Sequence, residues 1–306
     1  MSSVVELINA KEDRKQRTKS RLRYRETPVG WLFASPWLIG FLAFTFIPMA
    51  LSGYFSLTNY DLMSTPTWVG ISNYQILFQD PSFIHALLHT LTMLGVLVPV
   101  NMLLSFSYGL AMDATARGQR LFRTLLYLPS LIPAVASGVL WSWLFNSDYG
   151  LINAFLGIFG IQGPLWFESI RWGMAALILI YMWGAGNASV LVFAALRGVP
   201  RELYEQAMVD GASVFWRVRY ISWPMITPII FFNIILTVIY CMQYFTQAYV
   251  ITGTFIKFLS TFIYTFGFTD LDMGIASAAS WVMLALTTLI VAFLFLTQRW
   301  WVHYDE

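Results

Sequence analysis

Apolar residues along this chain come in long blocks instead of alternating with polar ones. Blocks run over 31–57, 84–111, 122–145, 171–196, 224–251 and 274–297, and charged residues enter them only at the edges, as Arg123 and Arg171. Each block is longer than the about 20 residues that a helix needs to cross the hydrocarbon core of a bilayer. A backbone in lipid has to satisfy its own hydrogen bonds, so blocks of this length read as helices. Strands of a membrane barrel would be about 10 residues long and would alternate. The pattern therefore predicts an all-helical integral membrane protein with six spans.

The polar remainder orients it. Residues 1–29 form a polar tail with eight basic side chains between Lys11 and Arg25. The block after the tail is too long for the about 7–15-residue core of a signal peptide, so it reads as a retained first span. Two segments are expected: a basic cytoplasmic tail, 1–29, and a six-span domain, 30–306, with a large cytoplasmic loop at 198–222. Six spans put the tail, the loops near 112–121 and 197–223, and the C-terminus on one side. That side holds the tail cluster, Arg117, Arg120, Arg123, Arg197, Arg201, Arg217, Arg219 and Arg299, sixteen cations against Arg171 and Lys257 opposite. Basic residues concentrate on the cytoplasmic side, so both termini are expected there.

Composition narrows the chemistry. Hydrophobic residues make 58% of the chain and charged ones 11%, against about 25% charged in a soluble domain. The single cysteine, Cys241, lies in an apolar block and permits no intramolecular disulfide. No G-x-x-x-x-G-K-[ST] occurs, so any ATP would be bound by another subunit. The near absence of ionisable residues in the blocks argues against a proton or ion path. His85 and His89 are a helical turn apart, but no third ligand accompanies them, so no metal site is expected. No nucleophile–base arrangement is evident, so neither is an enzyme. Prolines at 36, 48, 99, 129, 133 and 228 are expected to kink the spans. Trp31, Trp68, Trp141, Trp143, Trp166, Trp172, Trp300 and Trp301 fall near expected span ends, as interfacial belts do.

Two stretches carry candidate function. In the fifth block, Asn233, Thr237, Tyr240, Tyr244 and Gln247 recur at helical spacing and share a face. Polar side chains at mid-membrane depth avoid lipid, so this face is expected to look inward. Hydroxyls, aromatic rings and amides suit a neutral polyhydroxylated ligand, whereas an anion would call for arginine. Tyr244 is expected nearest such a ligand; Gln243 beside the stripe and Asn187 in the fourth block are weaker candidates. The same residues could equally serve as hydrogen-bonding glue between helices.

The second stretch is "PRELYEQAMVDGASVFWRVRYISWP", 200–224. Pro200 is expected to open a short helix. Glu202 and Glu205 sit in its first turns, where the helix dipole favours anions. Leu203, Ala207, Tyr204 and Met208 give it a semi-apolar face. Asp210-Gly211 signals a turn, with glycine supplying the backbone angle. Ser213 is a plausible cap for a second helix. The result is a knob with small residues that could enter a groove on another protein; the alternative is a surface loop with no partner.

The same stretch resembles the EAA signature of binding-protein-dependent ABC importer permeases. Glu205-Gln206-Ala207, Gly211, Ile221 and Trp223-Pro224 match its spacing, with Gln206 replacing an alanine and Trp223 a leucine. "GWLFASPWLIGFLAFTFIPM", "WVGISNYQILFQDPSFIHALLHTL" and "LLYLPSLIPAVASGVLWSWLFNSDYGLIN" are similar to the carbohydrate branch, the maltose and glycerol-phosphate type. The resemblance implies a type I importer permease fold in a bacterial or archaeal inner membrane. It implies a sugar or sugar derivative as substrate, and that this chain supplies half of the path. The partners it implies are a second homologous permease, two ATPase subunits and an extracytoplasmic solute-binding protein; nucleic acid is not among them. It implies no cofactor in this chain, ATP and Mg being held by the ATPases. Glu202, Glu205, Ala207, Asp210 and Gly211 would then belong to the element that docks into the ATPase. Two other readings stay open: an importer of a non-sugar solute, and a membrane receptor or scaffold that transports nothing.

The charge bias makes a direct prediction. Topology reporters fused after Arg299 and within 60–80 should label opposite sides of the membrane, the first cytoplasmic. Both on one side would refute six spans.

Overall fold

The computed structural model describes residues 30–114, 119–252 and 255–303. The basic tail, 1–29, and Arg117 lie outside these residues. The chain divides into two compact units, Met1–Phe55 and Ser56–Glu306. The described part of the first is one apolar helix, α1 (Gly30–Phe55).

The second unit opens with a short antiparallel ribbon, β1 (Thr58–Asn59) and β2 (Thr67–Trp68), with Thr58 opposite Trp68. Helices come next: α2 (Ser72–Gln79), α3 (Pro81–Ala114), α4 (Gln119–Tyr127), α5 (Ala134–Leu144), α6 (Leu151–Ile158), α7 (Ile170–Gly184) and α8 (Gly186–Gly198). After them come α9 (Arg201–Val209), α10 (Val214–Arg217), α11 (Trp223–Met242), α12 (Thr246–Thr252), α13 (Leu259–Tyr264) and α14 (Met273–Thr297). Asn73 at the start of α2 is buried and donates to the carbonyls of Ser56 and Thr58 at 2.9 and 2.8 Å, which fastens the ribbon to the helical body. Asp272 caps α14 by accepting from the Ile275 amide at 3.0 Å.

Four stretches are long and apolar enough to span a bilayer: Gly30–Phe55, Pro81–Asp113, Val214–Ile251 and Met273–Trp300. The other two sequence blocks form bent pairs, Arg120–Leu131 with Ala134–Leu144 and Ile170–Gly184 with Gly186–Gly198. Counting each pair once gives six. The third block differs from its sequence reading: it turns by 97° between its two helices instead of crossing as one rod. Pro129 and Pro133 supply no amide donors, and Ile132, held in front of a proline, is extended at φ −76°, ψ 128°. Pro99 and Pro228, in contrast, lie inside α3 and α11 without ending them.

Three apolar clusters hold the second unit together. One joins α3, α7, α11 and α12 around Leu97, Leu177, Cys241 and Phe258. Another joins α2, α3, α13 and α14 around Leu77, Phe83, Phe262 and Ala278. The third joins α8 and α11 through Val192, Leu196, Ile226 and Ile230. Gly186, at the break between α7 and α8, lies directly against the Leu126 carbonyl, where any Cβ would overlap it. Trp166 departs from the interfacial expectation: it is buried in the first cluster, with Trp141 packed against that cluster beside Phe145 and Trp183. Trp31, Trp68, Trp143, Trp172 and Trp300 are exposed.

Candidate functional site

Helix interruptions converge on one cavity. The Leu131–Ala134 bend, the α7–α8 break and the α11–α12 break at Gln243 all border it or supply a residue to it. The cavity has a volume of about 320 Å³ and lies among α3, α5, α7, α8, α11 and α12. Its wall includes Asn101, Ser130, Ser137, Tyr181, Trp183, Asn187, Asn233, Thr237, Tyr240 and Gln247. Among the described residues no Asp, Glu, Lys, Arg or His lines it. A pocket of this kind offers amide and hydroxyl hydrogen bonds and aromatic surface, and no charge to neutralise an ion.

The fifth-block stripe is brought partly into this wall. Asn233 and Thr237 are buried; Asn233 Nδ2 donates to the Ala188 carbonyl at 3.4 Å, linking α11 to α8. Thr237 Oγ1 donates to the Asn233 carbonyl at 2.7 Å and accepts from Asn101 Nδ2 at 2.7 Å, linking α11 to α3. Tyr240 is 40% exposed, and its hydroxyl donates to Gln247 Oε1 at 3.0 Å. Asn187, on α8, is exposed and also lines the cavity.

Tyr244 and Gln243 stand apart. Tyr244 is 3% exposed and sits in the first apolar cluster, 5.7 Å from the Phe258 ring, outside the cavity wall. Gln243 is exposed and also outside the wall. Helical spacing placed Tyr244 with the others and Gln243 beside them, but α11 ends at Met242 and α12 begins at Thr246. The periodicity assumed one continuous helix; the break takes Gln243 and Tyr244 out of that register, while Gln247 on α12 returns to the wall. Asn101 and Tyr181 were not singled out from sequence. Asn101 is the lone carboxamide in the 84–111 block, two residues after Pro99, and that was the available signal.

The knob obeys its local chemistry closely. Pro200 caps α9, and Glu202 lies in its first turn. Gly211 has φ +78°. Its amide bonds to the Met208 carbonyl at 3.1 Å and that of Ala212 to the Ala207 carbonyl at 2.8 Å, the Schellman arrangement that closes a helix C-terminus. Ser213 Oγ accepts from the Trp216 amide at 3.5 Å and opens α10. A wide helical turn over Val218–Ser222 then leads into α11. Tyr204 and Ser222 join their hydroxyls at 2.9 Å, tying α9 to the foot of α11. Between the helices lies a groove lined by Ala207, Asp210, Gly211, Trp216 and Tyr220. Glu205 is exposed beside it, and Val209, Val214, Phe215 and Trp216 present apolar surface to solvent. Exposed apolar area of this kind is suited to contact with another surface.

Elsewhere, His89 Nδ1 lies 3.0 Å from the Lys257 carbonyl, with the His85 ring 6.4 Å away. Among the described residues no group of three or more His, Cys, Asp or Glu side chains could hold a metal.

Comparison with known proteins gives these observations a context. The family of binding-protein-dependent transport system inner membrane components matches residues 102–303. The chain is 37% identical over 299 residues to the probable ABC transporter permease protein YesP of Bacillus subtilis, covering 94% of this chain and 96% of that one. It is 30% identical over 271 residues to the trehalose/maltose transport system permease protein MalF of Thermococcus litoralis, covering 85% and 90%. In fold it is similar to a chain of a bacterial ABC transporter that imports the acidic polysaccharide alginate, with a TM-score of 0.80 at 24% identity over 90% of this chain and 98% of that one.

The Tyr244 hydroxyl is buried with no hydrogen-bond partner. Removing an unpaired buried hydroxyl relieves a cost, whereas emptying the ring's volume opens a cavity. Tyr244→Phe should leave the melting temperature of the purified protein equal or higher, and Tyr244→Ala should destabilise it by about 3 kcal/mol or more. A Tyr244→Phe variant as damaged as Tyr244→Ala would contradict the core assignment.

Proposed function

This chain belongs to the binding-protein-dependent transport system inner membrane components, and from that membership we propose that it is the half-path permease of an importer for an uncharged saccharide. The carrying observation is the cavity wall: carboxamides, hydroxyls and aromatic rings, with no charged side chain. A saccharide presents many hydroxyls that both donate and accept, and apolar ring faces that stack on aromatics. An acidic sugar in the same space would leave its carboxylate without a cationic partner, at a cost of several kcal/mol or more.

The rest of the machine is built on this reading. A second homologous permease completes the path, and an extracytoplasmic binding protein delivers the sugar. Two ATPase subunits hold ATP and Mg and receive the knob at 200–220. Supporting this are the groove beside Ala207 and Gly211, and the exposed apolar side chains of Phe215 and Trp216. Both termini face the cytoplasm, with 30–306 as the permease domain and 198–222 as its coupling loop. Closure of the ATPase pair would push α9, and through Tyr204 and Ser222 the push reaches α11, which carries Asn233 and Thr237 on the cavity wall. Alternating exposure of the cavity to the two sides is the expected consequence.

The test is uptake by the reconstituted complex in vesicles. Maltose or trehalose should enter with ATP, and galacturonate oligomers should not. Gly211→Val should cut uptake at least tenfold, since a β-branched residue resists φ +78°, while the subunits still co-purify. Uptake confined to the acidic sugars would overturn the uncharged-substrate reading. Full uptake by the glycine variant would remove the coupling role.

A further inference from the structure

We propose that Asn101 is a specificity-determining residue of the cavity, its carboxamide oxygen accepting a hydrogen bond from one hydroxyl of the bound saccharide. The inference deepens the function proposed above and rests on it. Asn101 lies on α3, not on the helix of the fifth-block stripe, and is 2% exposed. Its Nδ2 donates to Thr237 Oγ1 at 2.7 Å, and its Oδ1 has no partner. Five buried polar side-chain atoms among the described residues lack partners, and Asn101 Oδ1 is the one whose residue belongs to this cavity wall.

The orientation of the amide is set by its neighbour. A threonine hydroxyl has one proton, and that of Thr237 goes to the Asn233 carbonyl at 2.7 Å. Its oxygen can therefore only accept, so Asn101 must turn its NH2 end toward it. The oxygen end is left as a fixed acceptor. A buried carbonyl without a donor is costly, and the cost is greater at low local dielectric. The cavity is where a donor can arrive. With no carboxylate in the wall to balance a cation, the fitting donor is a neutral O–H. A ligand lacking that hydroxyl leaves the acceptor unpaired and forgoes one neutral hydrogen bond. Asn101 thus reads one position of the sugar, while Tyr240 and Gln247, whose side chains already bond each other, adapt to the rest.

The test is a cycle between protein and sugar. Vesicles carrying the assembled complex are given maltose, trehalose and galacturonate oligomers, and then the mono-deoxy analogues of whichever the unaltered chain takes up. For one analogue, uptake by the unaltered chain should fall about tenfold. Asn101→Leu should take up the full sugar about tenfold less well and no longer distinguish it from that analogue. An assembled Asn101→Leu complex that keeps the full discrimination overturns the proposal. Should that variant fail to co-purify with its partners, Thr237→Val serves instead, because it frees the amide to turn: weakened discrimination supports the proposal and unchanged discrimination overturns it. If only galacturonate oligomers enter, the uncharged-substrate reading falls, and the same cycle on their deoxy derivatives still decides Asn101. Uptake of none of these sugars overturns both.

Discussion

Hydrocarbon offers a backbone no water, so wherever a helix stops within the membrane its freed amides and carbonyls must be answered by protein or by an aqueous space. This chain interrupts its helices at Leu131–Ala134, at Ala185 and at Gln243–Phe245. Residues next to each interruption enter one cavity wall: Ser130 and Ile132, Gly184 and Asn187, Tyr240 and Gln247. Gathering the breaks around a shared polar space is the arrangement that makes them tolerable. It also builds a binding site from backbone geometry that lipid would otherwise forbid.

Glue and path turn out to be one network. Asn101, Thr237, Asn233 and the Ala188 carbonyl form a chain of hydrogen bonds across α3, α11 and α8. Its members are also wall residues, with Tyr240, Gln247 and Asn187 more open beside them. Each neutral bond contributes about 1 kcal/mol, enough to fix side-chain directions without locking the bundle. At the end nearest the 200–224 knob the Arg197 guanidinium bonds Asp113 at 2.7 Å, linking α8 to α3. From Ser222, tied to the knob through Tyr204, to Thr237 is about 22 Å of helix at 1.5 Å per residue. On the proposed function, α11 is the lever between docking surface and cavity.

What the sequence made legible was what local rules decide. Six apolar blocks became four long helices and two bent pairs. The knob came through in detail: the positive φ of Gly211, the Ser213 cap and the short helix after Pro200 depend on neighbours a few residues away. The stripe was legible in part: Gln247, beyond the helix break, still reaches the wall. Asn233, Thr237 and Tyr240 reach the wall on α11, whereas the turn at Gln243 sends Tyr244 into the apolar cluster. Proline spacing announced a kink at 129–133 but not its size, because the angle is set by what Ala134 and its helix pack against. Asn101 needed the tertiary structure, since its partner Thr237 is 136 residues away.

The central claim is that the helix breaks enclose a water-accessible, sugar-sized space within an otherwise apolar body. Substituted-cysteine accessibility tests it most directly, on a chain whose one native cysteine, Cys241, has been replaced by alanine. Single cysteines at Asn187 and Tyr240 should react with a membrane-impermeant thiol reagent, and the transported sugar should slow that reaction. A cysteine at Phe293, exposed on the apolar face of α14, should stay unlabelled. If the positions 187 and 240 are as unreactive as 293, or react at the same rate with and without the sugar, the cavity is not the path.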